Sequence, residues 1–320
     1  MKLVVTGGAG YIGSVVGSHL IAAGHEVTVV DDLSTGHRDA VPDGATFIET
    51  SVLDAAGLAP ALDGADGVLH FAARSLVGES VESPELYYRT NVAGSLTLLE
   101  SMVRAGVRRL VFSSTAATYG EPEVMPIRED APAVPTNPYG ASKLAVDNMI
   151  RDMSAAHGLS AVSLRYFNVA GASGRYGERH TTETHLIPIV LQAAMGSRPH
   201  VSIFGTDYPT RDGTAIRDYI HVDDLATAHL LALDAAAEGE HRIYNLGNGS
   251  GFSVRDVIAA AQATTGREIA AVEVERRAGD PAALVASSER ISAELGWQPT
   301  KPAVEEMIAD AWKWLQDFSR

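Results

Sequence analysis

The sequence predicts an α/β fold, a doubly wound and mainly parallel sheet with a smaller C-terminal substrate-binding lobe. Two observations carry this. Short apolar runs recur at 3–6, 26–30, 68–71, 109–113 and 161–167, with amphipathic helical stretches between them. Such alternation gives a parallel sheet covered on both faces, and right-handed crossovers make it doubly wound. The first run also opens directly into a glycine-rich turn, TGGAGYIG at 6–13, and that turn into a helix.

Each element has its own warrant. Ile12, Val15, Val16, Leu20 and Ile21 recur at helical spacing over 11–23, and Gly24 stops that helix. The run at 26–30 is a buried strand ending at Asp31 and Asp32, which completes a βαβ unit. A strand at 68–71, a long helix over 85–104, a strand at 109–113, a helix over 142–157 closed by Gly158 and a strand at 161–167 continue the pattern. Beyond Asn168 the chain turns polar. Residues 171–185 read as a functional loop, since unstructured connections of that length are uncommon. Helices near 186–195, 224–236 and 302–317 and a strand near 243–246 follow. The expected division is a dinucleotide-binding lobe over 1–170, joined by 222–248, and a second lobe formed mainly by 171–320.

Composition narrows the function. The 320 residues carry 25 basic and 40 acidic side chains, a net charge of −15. That surface repels nucleic acid and anionic membranes, so neither is expected as a partner. With no cysteine, disulfides, thiolate metal sites and a cysteine nucleophile are excluded. No apolar run reaches the roughly 18 residues of a spanning helix, and KLVVTGG near the start does not read as a signal peptide. The cytoplasm is the expected compartment. The histidines form neither H-x-x-H nor H-E-x-x-H, so no metal is expected.

Two local patterns carry chemistry. In the turn, Gly8, Gly10 and Gly13 satisfy G-x-G-x-x-G, and Gly7, Gly10 and Gly13 give a second register. Glycine there permits a tight turn and close backbone approach to a pyrophosphate, whose charge meets the helix N-terminus. This is the dinucleotide fingerprint of a Rossmann sheet. Asp31, 18 residues after Gly13, is placed to accept from an adenosine ribose, so NAD is the expected cofactor rather than its 2′-phosphate. Tyr139 and Lys143 are four residues apart on one helical face. A cation beside a phenol favours the phenolate, which makes a general base. The strand-end hydroxyls of Ser113, Ser114 and Thr115 then fall beside a substrate.

TGGAGYIG at 6–13, FSSTAATYG at 112–120, NPYGASK at 137–143, LRYFN at 164–168 and YNLGNG at 244–249 resemble an extended short-chain dehydrogenase/reductase. GTDYPTRDGTAIRDYIHVDDLA at 205–226 and VGESVESPELYYRTNVAGSL at 77–96 are similar to the UDP-glucose/UDP-galactose 4-epimerases of that family. The resemblance spans nearly the whole chain. It implies reversible interconversion of UDP-glucose and UDP-galactose through transient NAD-dependent oxidation at sugar C4. Another nucleotide sugar, N-acetylated or pentose, and a net reductase or dehydrogenase remain as alternatives. Ala116 and Ala117, where a dehydratase would need an acid, count against dehydration.

By the same resemblance, Tyr139 is the base, Lys143 tunes it and Thr115 hydrogen-bonds the reacting oxygen. The cofactor set is Gly7, Gly10, Tyr11, Ile12, Gly13, Asp31, Asp32, Ser51, Val52, Phe71, Ala72, Ala73, Asn91, Ser113, Tyr139, Lys143, Tyr166 and Phe167. The UDP-sugar set is Thr115, Tyr139, Asn168, His185, Leu186, Phe204, Arg217, Tyr219, Arg277 and Asp280, with Leu284 as a gate at the sugar end. Ser75, Ser51 and His185 depart from residues common in relatives, a lysine, an acid and an asparagine. A homodimer is implied, built on the helices near 85–104 and 142–157.

Overall fold

The computed structural model describes residues 1–236, 239–277 and 280–318. Seven strands form its central sheet: β1 (Lys2–Thr6), β2 (Glu26–Asp31), β3 (Thr46–Glu49), β4 (Gly67–His70), β5 (Arg109–Thr115), β6 (Ser160–Tyr166) and β7 (His241–Leu246). All pairings are parallel and the order is β7-β6-β5-β4-β1-β2-β3. The order reverses between β1 and β4, and in open parallel sheets ligands bind in the crevice beyond the strand ends at that switch point. β3 was not expected from the sequence, because its faces are only half buried at this edge of the sheet.

The main helices are α1 (Tyr11–Ala22), α2 (Ala55–Leu62), α3 (Gly94–Ala105), α4 (Pro138–His157), α5 (Leu186–Ala194), α6 (Val222–Ala235), α7 (Val254–Thr265) and α8 (Val304–Phe318). One face of the sheet packs Leu3, Val5, Val111 and Leu164 against Val16 and Leu20 of α1 and Leu225 and Leu233 of α6. The other packs Val4, Val68 and Leu110 against Leu58 of α2, Leu98 and Met102 of α3 and Val146 and Ile150 of α4. Both faces are therefore dry, which is why the strands read as unbroken apolar runs. A third cluster joins Ile187 and Val190 of α5, Val257 and Ala261 of α7 and Met307 and Ile308 of α8 to Val201 and Ile203. No helix among the described residues is long and apolar enough to cross a membrane.

α2 and α7 were not expected from the sequence, and two expected helices are built differently. The helix expected over 85–104 is interrupted: a short turn at Pro84–Tyr87 passes through a π-helical stretch, Tyr88–Ala93, before α3. Such stretches turn a side chain out of helical register, and here the stretch contains the buried Asn91. α4 begins at Pro138, four residues before the expected start. Asn137 caps it through a 2.9 Å bond from Gly140 N to Asn137 Oδ1, with proline in the first turn. Gly140 reads as a turn residue, yet it serves packing: a Cβ there would stand 2.3 Å from the Ala117 carbonyl. The earlier start puts Tyr139 in the first turn of α4, directly above the end of β5.

Candidate active site

A single cavity of about 1630 Å³ lies over the strand ends. That exceeds the ~300–1,000 Å³ of an ordinary ligand pocket and suits two ligands side by side. At one end lies the glycine turn. Gly7 has φ +73°, and a Cβ on it would stand 2.5 Å from the backbone nitrogen of Ala72; one on Gly13 would stand 2.2 Å from the Gly7 carbonyl. These two glycines let turn, helix and β4 loop close on one another. Gly10 differs: a Cβ there meets only the Gly7 carbonyl, at 3.3 Å, so its surface opens to the cavity. α1 starts at Gly10 with no side-chain cap, which presents amide donors to an anion.

Asp31 ends β2 at the rim of this crevice. Its Oδ2 accepts from Ala9 N at 3.0 Å and its Oδ1 from Leu33 N at 2.8 Å. Burial raises its carboxyl from the ordinary value while these amides pull it down. Each oxygen keeps a second lone pair for a ribose hydroxyl.

The reactive groups gather at the middle of the cavity. Tyr139 and Thr115 both line it. Burial pushes the Tyr139 phenol up, and a hydrogen bond with the Thr115 side chain pulls it partly back. Lys143 is 3% exposed and donates to the Ser113 carbonyl at 2.8 Å. Burial pulls its ammonium down to about 8, against the attraction of Asp147. Lys143 is aimed at the backbone of β5, so within the protein alone burial dominates and the phenol stays above its usual range. Beneath them, Asp147 and Arg165 form a buried ion pair at 2.9 Å, and Ser114 donates to Asp147 at 3.1 Å. This pair fixes α4 on β5 and β6.

The far end is assembled from short segments. Ile216–Arg217 is flanked by Phe252–Ser253 and Ala283–Leu284, and Asn168–Ala170 pairs with Tyr219–His221. Fully buried Asp218 ties these together, accepting from Asn248 N at 2.8 Å and from Gly249 N and Ala286 N at 3.0 Å. Arg217 is ion-paired with Asp280, and the Arg277 guanidinium lies 3.8 Å from the centre of the Phe204 ring. Two guanidinium forks thus line one wall, a donor set that suits a diphosphate.

Every residue of the cofactor and UDP-sugar sets lines the cavity except Asn91, and the Ser114 hydroxyl, expected beside the substrate, lies outside it and is bonded to Asp147. Asn91 is 1% exposed and spent on structure. Its Oδ1 accepts from Arg74 N at 2.8 Å, and its Nδ2 donates to Arg74 O at 3.0 Å and Ser142 Oγ at 2.9 Å. Ser142 Oγ donates in turn to the Tyr139 carbonyl at 2.7 Å. Asn91 therefore positions the β4 loop and α4 instead of facing a cofactor. Sequence reasoning missed Asp218 and the Asp147–Arg165 pair, whose partners are distant in sequence, and the cavity-lining Glu178, Arg179 and Glu183 of the 171–185 loop. Only that loop's length and polarity signalled it.

The chain matches the model of the NAD dependent epimerase/dehydratase family over residues 3–247. A UDP-glucose 4-epimerase of Corynebacterium glutamicum is 56% identical over 312 residues, 98% of this chain and 95% of the relative. One from Streptomyces lividans is 56% identical over 98% of this chain and 95% of its own length. A solved UDP-glucose 4-epimerase from Stenotrophomonas maltophila, with bound NAD and formylated UDP-arabinopyranose, is 40% identical. It matches with a TM-score of 0.96 over 100% of this chain and 99% of that one.

Proposed function

The chain belongs to the NAD-dependent epimerase/dehydratase family, and from that membership we propose that it interconverts UDP-glucose and UDP-galactose by inverting sugar C4, with NAD as cofactor. One observation carries the reading beyond the family: Tyr139 and Thr115 lie midway in one cavity, between an uncapped helix N-terminus and a wall bearing Arg217 and Arg277. A dinucleotide suits the first end, where Gly10 leaves room for a pyrophosphate and Asp31 has acceptor capacity for a ribose. When bound, NAD supplies the hydride acceptor and donor and a positively charged ring.

The chain's own groups handle the proton and the positioning. Tyr139 Oη takes the proton of the sugar C4 hydroxyl and returns it when the inverted alcohol forms. Thr115 Oγ1 orients that oxygen by hydrogen bonding. Lys143, held by the Ser113 carbonyl, keeps a cation under the site while it remains protonated. Arg217 and Arg277 bind the diphosphate, Arg217 exchanging its contact with Asp280 for phosphate oxygens and freeing that carboxylate for uridine ribose hydroxyls.

We also infer a homodimer, supported by the exposed apolar Val81, Tyr88 and Leu96 along the segment leading into α3. The reading carries a cytoplasmic location, the compartment in which a dinucleotide and sugar nucleotides are both to hand. Purified protein incubated with UDP-galactose and NAD should yield UDP-glucose, and the reverse, with no net NADH. Conversion of neither sugar, with turnover of an N-acetylated or pentose nucleotide, would replace the substrate; accumulation of NADH would replace epimerisation with net oxidation.

A further inference from the structure

The 171–185 loop brings Glu178, His180, Glu183 and His185 together, with one ligating atom from each lying within 4.8 Å of the others. Glu178 Oε1 is 2.9 Å from His185 Nδ1 and 3.2 Å from His180 Nδ1. Glu183 approaches His185 Nδ1 through Oε1 at 2.8 Å and His180 Nδ1 through Oε2 at 3.5 Å. For tetrahedral ligands at 2.0–2.1 Å from a zinc ion, neighbouring donors stand roughly 3.3 Å apart, a value these four distances bracket.

Hydrogen bonding accounts for only part of the arrangement: Glu183 Oε1 accepts from Thr184 N and His185 N and meets His185 Nδ1, each at 2.8 Å. His185 Nδ1 faces two carboxylates at nearly equal distance, yet an imidazole nitrogen carries one proton. His180 Nδ1 is buried and close to both glutamates but aligned for a hydrogen bond with neither. One central cation would satisfy all four groups. The two glutamates also act electrostatically on Tyr11, in the first turn of α1.

The other grouping of this kind, His221, Asp223 and Asp310, has its cation already: the Lys301 ammonium lies 3.1 Å from Asp223 and 2.7 Å from Asp310. Among the described residues no lysine or arginine is paired with the glutamates of the loop cluster, which pair only with His180 and His185. Arg179, between its ligands in sequence, is turned away to Asp39, at 3.0 Å.

We propose that Glu178, His180, Glu183 and His185 form a structural site for one divalent transition-metal ion, zinc by its nitrogen and oxygen donors. Four protein ligands close a tetrahedral shell and leave no position for substrate, which marks a structural ion. The ion clips a loop that already bridges the two lobes. Tyr11 Oη donates to the Gly171 carbonyl at 2.7 Å, His37 Nε2 meets the Arg179 carbonyl at 3.0 Å, and Trp314 Nε1 of α8 donates to the Arg175 carbonyl at 3.0 Å. The spacing E-x-H-x-x-E-x-H escapes the usual zinc signatures because a loop, not a helix face, converges the donors.

The test is independent of the sugar substrate. Elemental analysis of protein purified without chelator should find about one zinc per chain, and chelated protein titrated with cobalt(II) should develop the intense visible bands of a tetrahedral ion. His180→Ala and the conservative Glu183→Gln, each checked for native circular dichroism, should lose both signals. His200→Ala, at another histidine lining the cavity, should keep them. Protein that carries no metal as purified and shows no cobalt bands at millimolar cobalt overturns the site. So does full metal content in folded His180→Ala and Glu183→Gln.

Discussion

The two ends of the cavity are built on different principles. The cofactor end is fixed by backbone: Gly7 and Gly13 sit where no side chain fits, and Asp31 is held by one amide of the glycine turn and one of its own turn. The sugar-nucleotide end is fixed by side chains reaching across the fold, with Asp218 gathering three segments and Arg217 meeting Asp280. A backbone-built site is written in short motifs. A side-chain-built site is spread over more than a hundred residues and appears only once the chain is folded. The reacting groups sit where the two meet, so substitutions should separate chemistry, sugar binding and stability.

Tyr139→Phe tests the meeting point and should have the largest effect. Removing the phenol leaves the ring that packs edge-on against Tyr87 at 6.3 Å but removes the proton carrier. Turnover should fall by about 10²–10⁴-fold, the usual worth of a positioned general base, while titration with NAD shows unchanged affinity. Retained turnover would move the base elsewhere; lost NAD binding would make Tyr139 a structural part of the cofactor end.

Arg217→Ala tests the side-chain-built end. Loss of a charge-assisted contact worth ~1.5–3 kcal/mol should raise KM for the sugar nucleotide by ~10–100-fold with a much smaller change in kcat. Asp280→Ala should raise KM less, because it also frees Arg217 from its ion pair. Equal losses in kcat and kcat/KM for Arg217→Ala would mean that the arginine acts on the chemical step and that the division drawn here fails.

The same division explains what the sequence makes legible. The order of strands and helices, the glycine turn and the Tyr139–Lys143 pair follow from local pattern, and all appear in the structure. The apolar pattern started α4 at 142, although Asn137 followed by proline is itself a helix start. Asn91 was placed on the cofactor because resemblance gives a position, whereas the π-helical stretch decides which way its amide points. Lys143 was read as tuning Tyr139 from spacing and resemblance; the folded chain adds its bond to the Ser113 carbonyl, which no local pattern signals. Asp218, Asp147 and the glutamates of the 171–185 loop gave no local signal, since each owes its meaning to partners brought up by folding.

The smallest effect expected is on stability, and it belongs to the cofactor end. His229 of α6 is fully buried, its ring centre 4.9 Å from that of Phe71 and 6.2 Å from that of Tyr166, both lining the cavity. Its Nδ1 contacts the Leu225 carbonyl at 2.8 Å, while Nε2 has no hydrogen-bond partner among the described residues. Burial brings its pKa down to about 4, the Leu225 carbonyl opposing that shift. The unfolded chain takes up this proton near pH 6.5 and the folded chain only near 4, so the unfolded state holds more protons across that window. Stability is then intact above pH 6.5 and is lost as pH falls towards 4, at a slope on the order of 1 kcal/mol per pH unit. His229→Leu keeps an apolar filling and removes the proton. Its unfolding midpoint should fall less steeply than the wild type's between pH 6.5 and 4, with the two curves parallel above pH 7. Curves parallel throughout would mean that His229 is neutral in both states over this range, and that acid unfolding starts elsewhere.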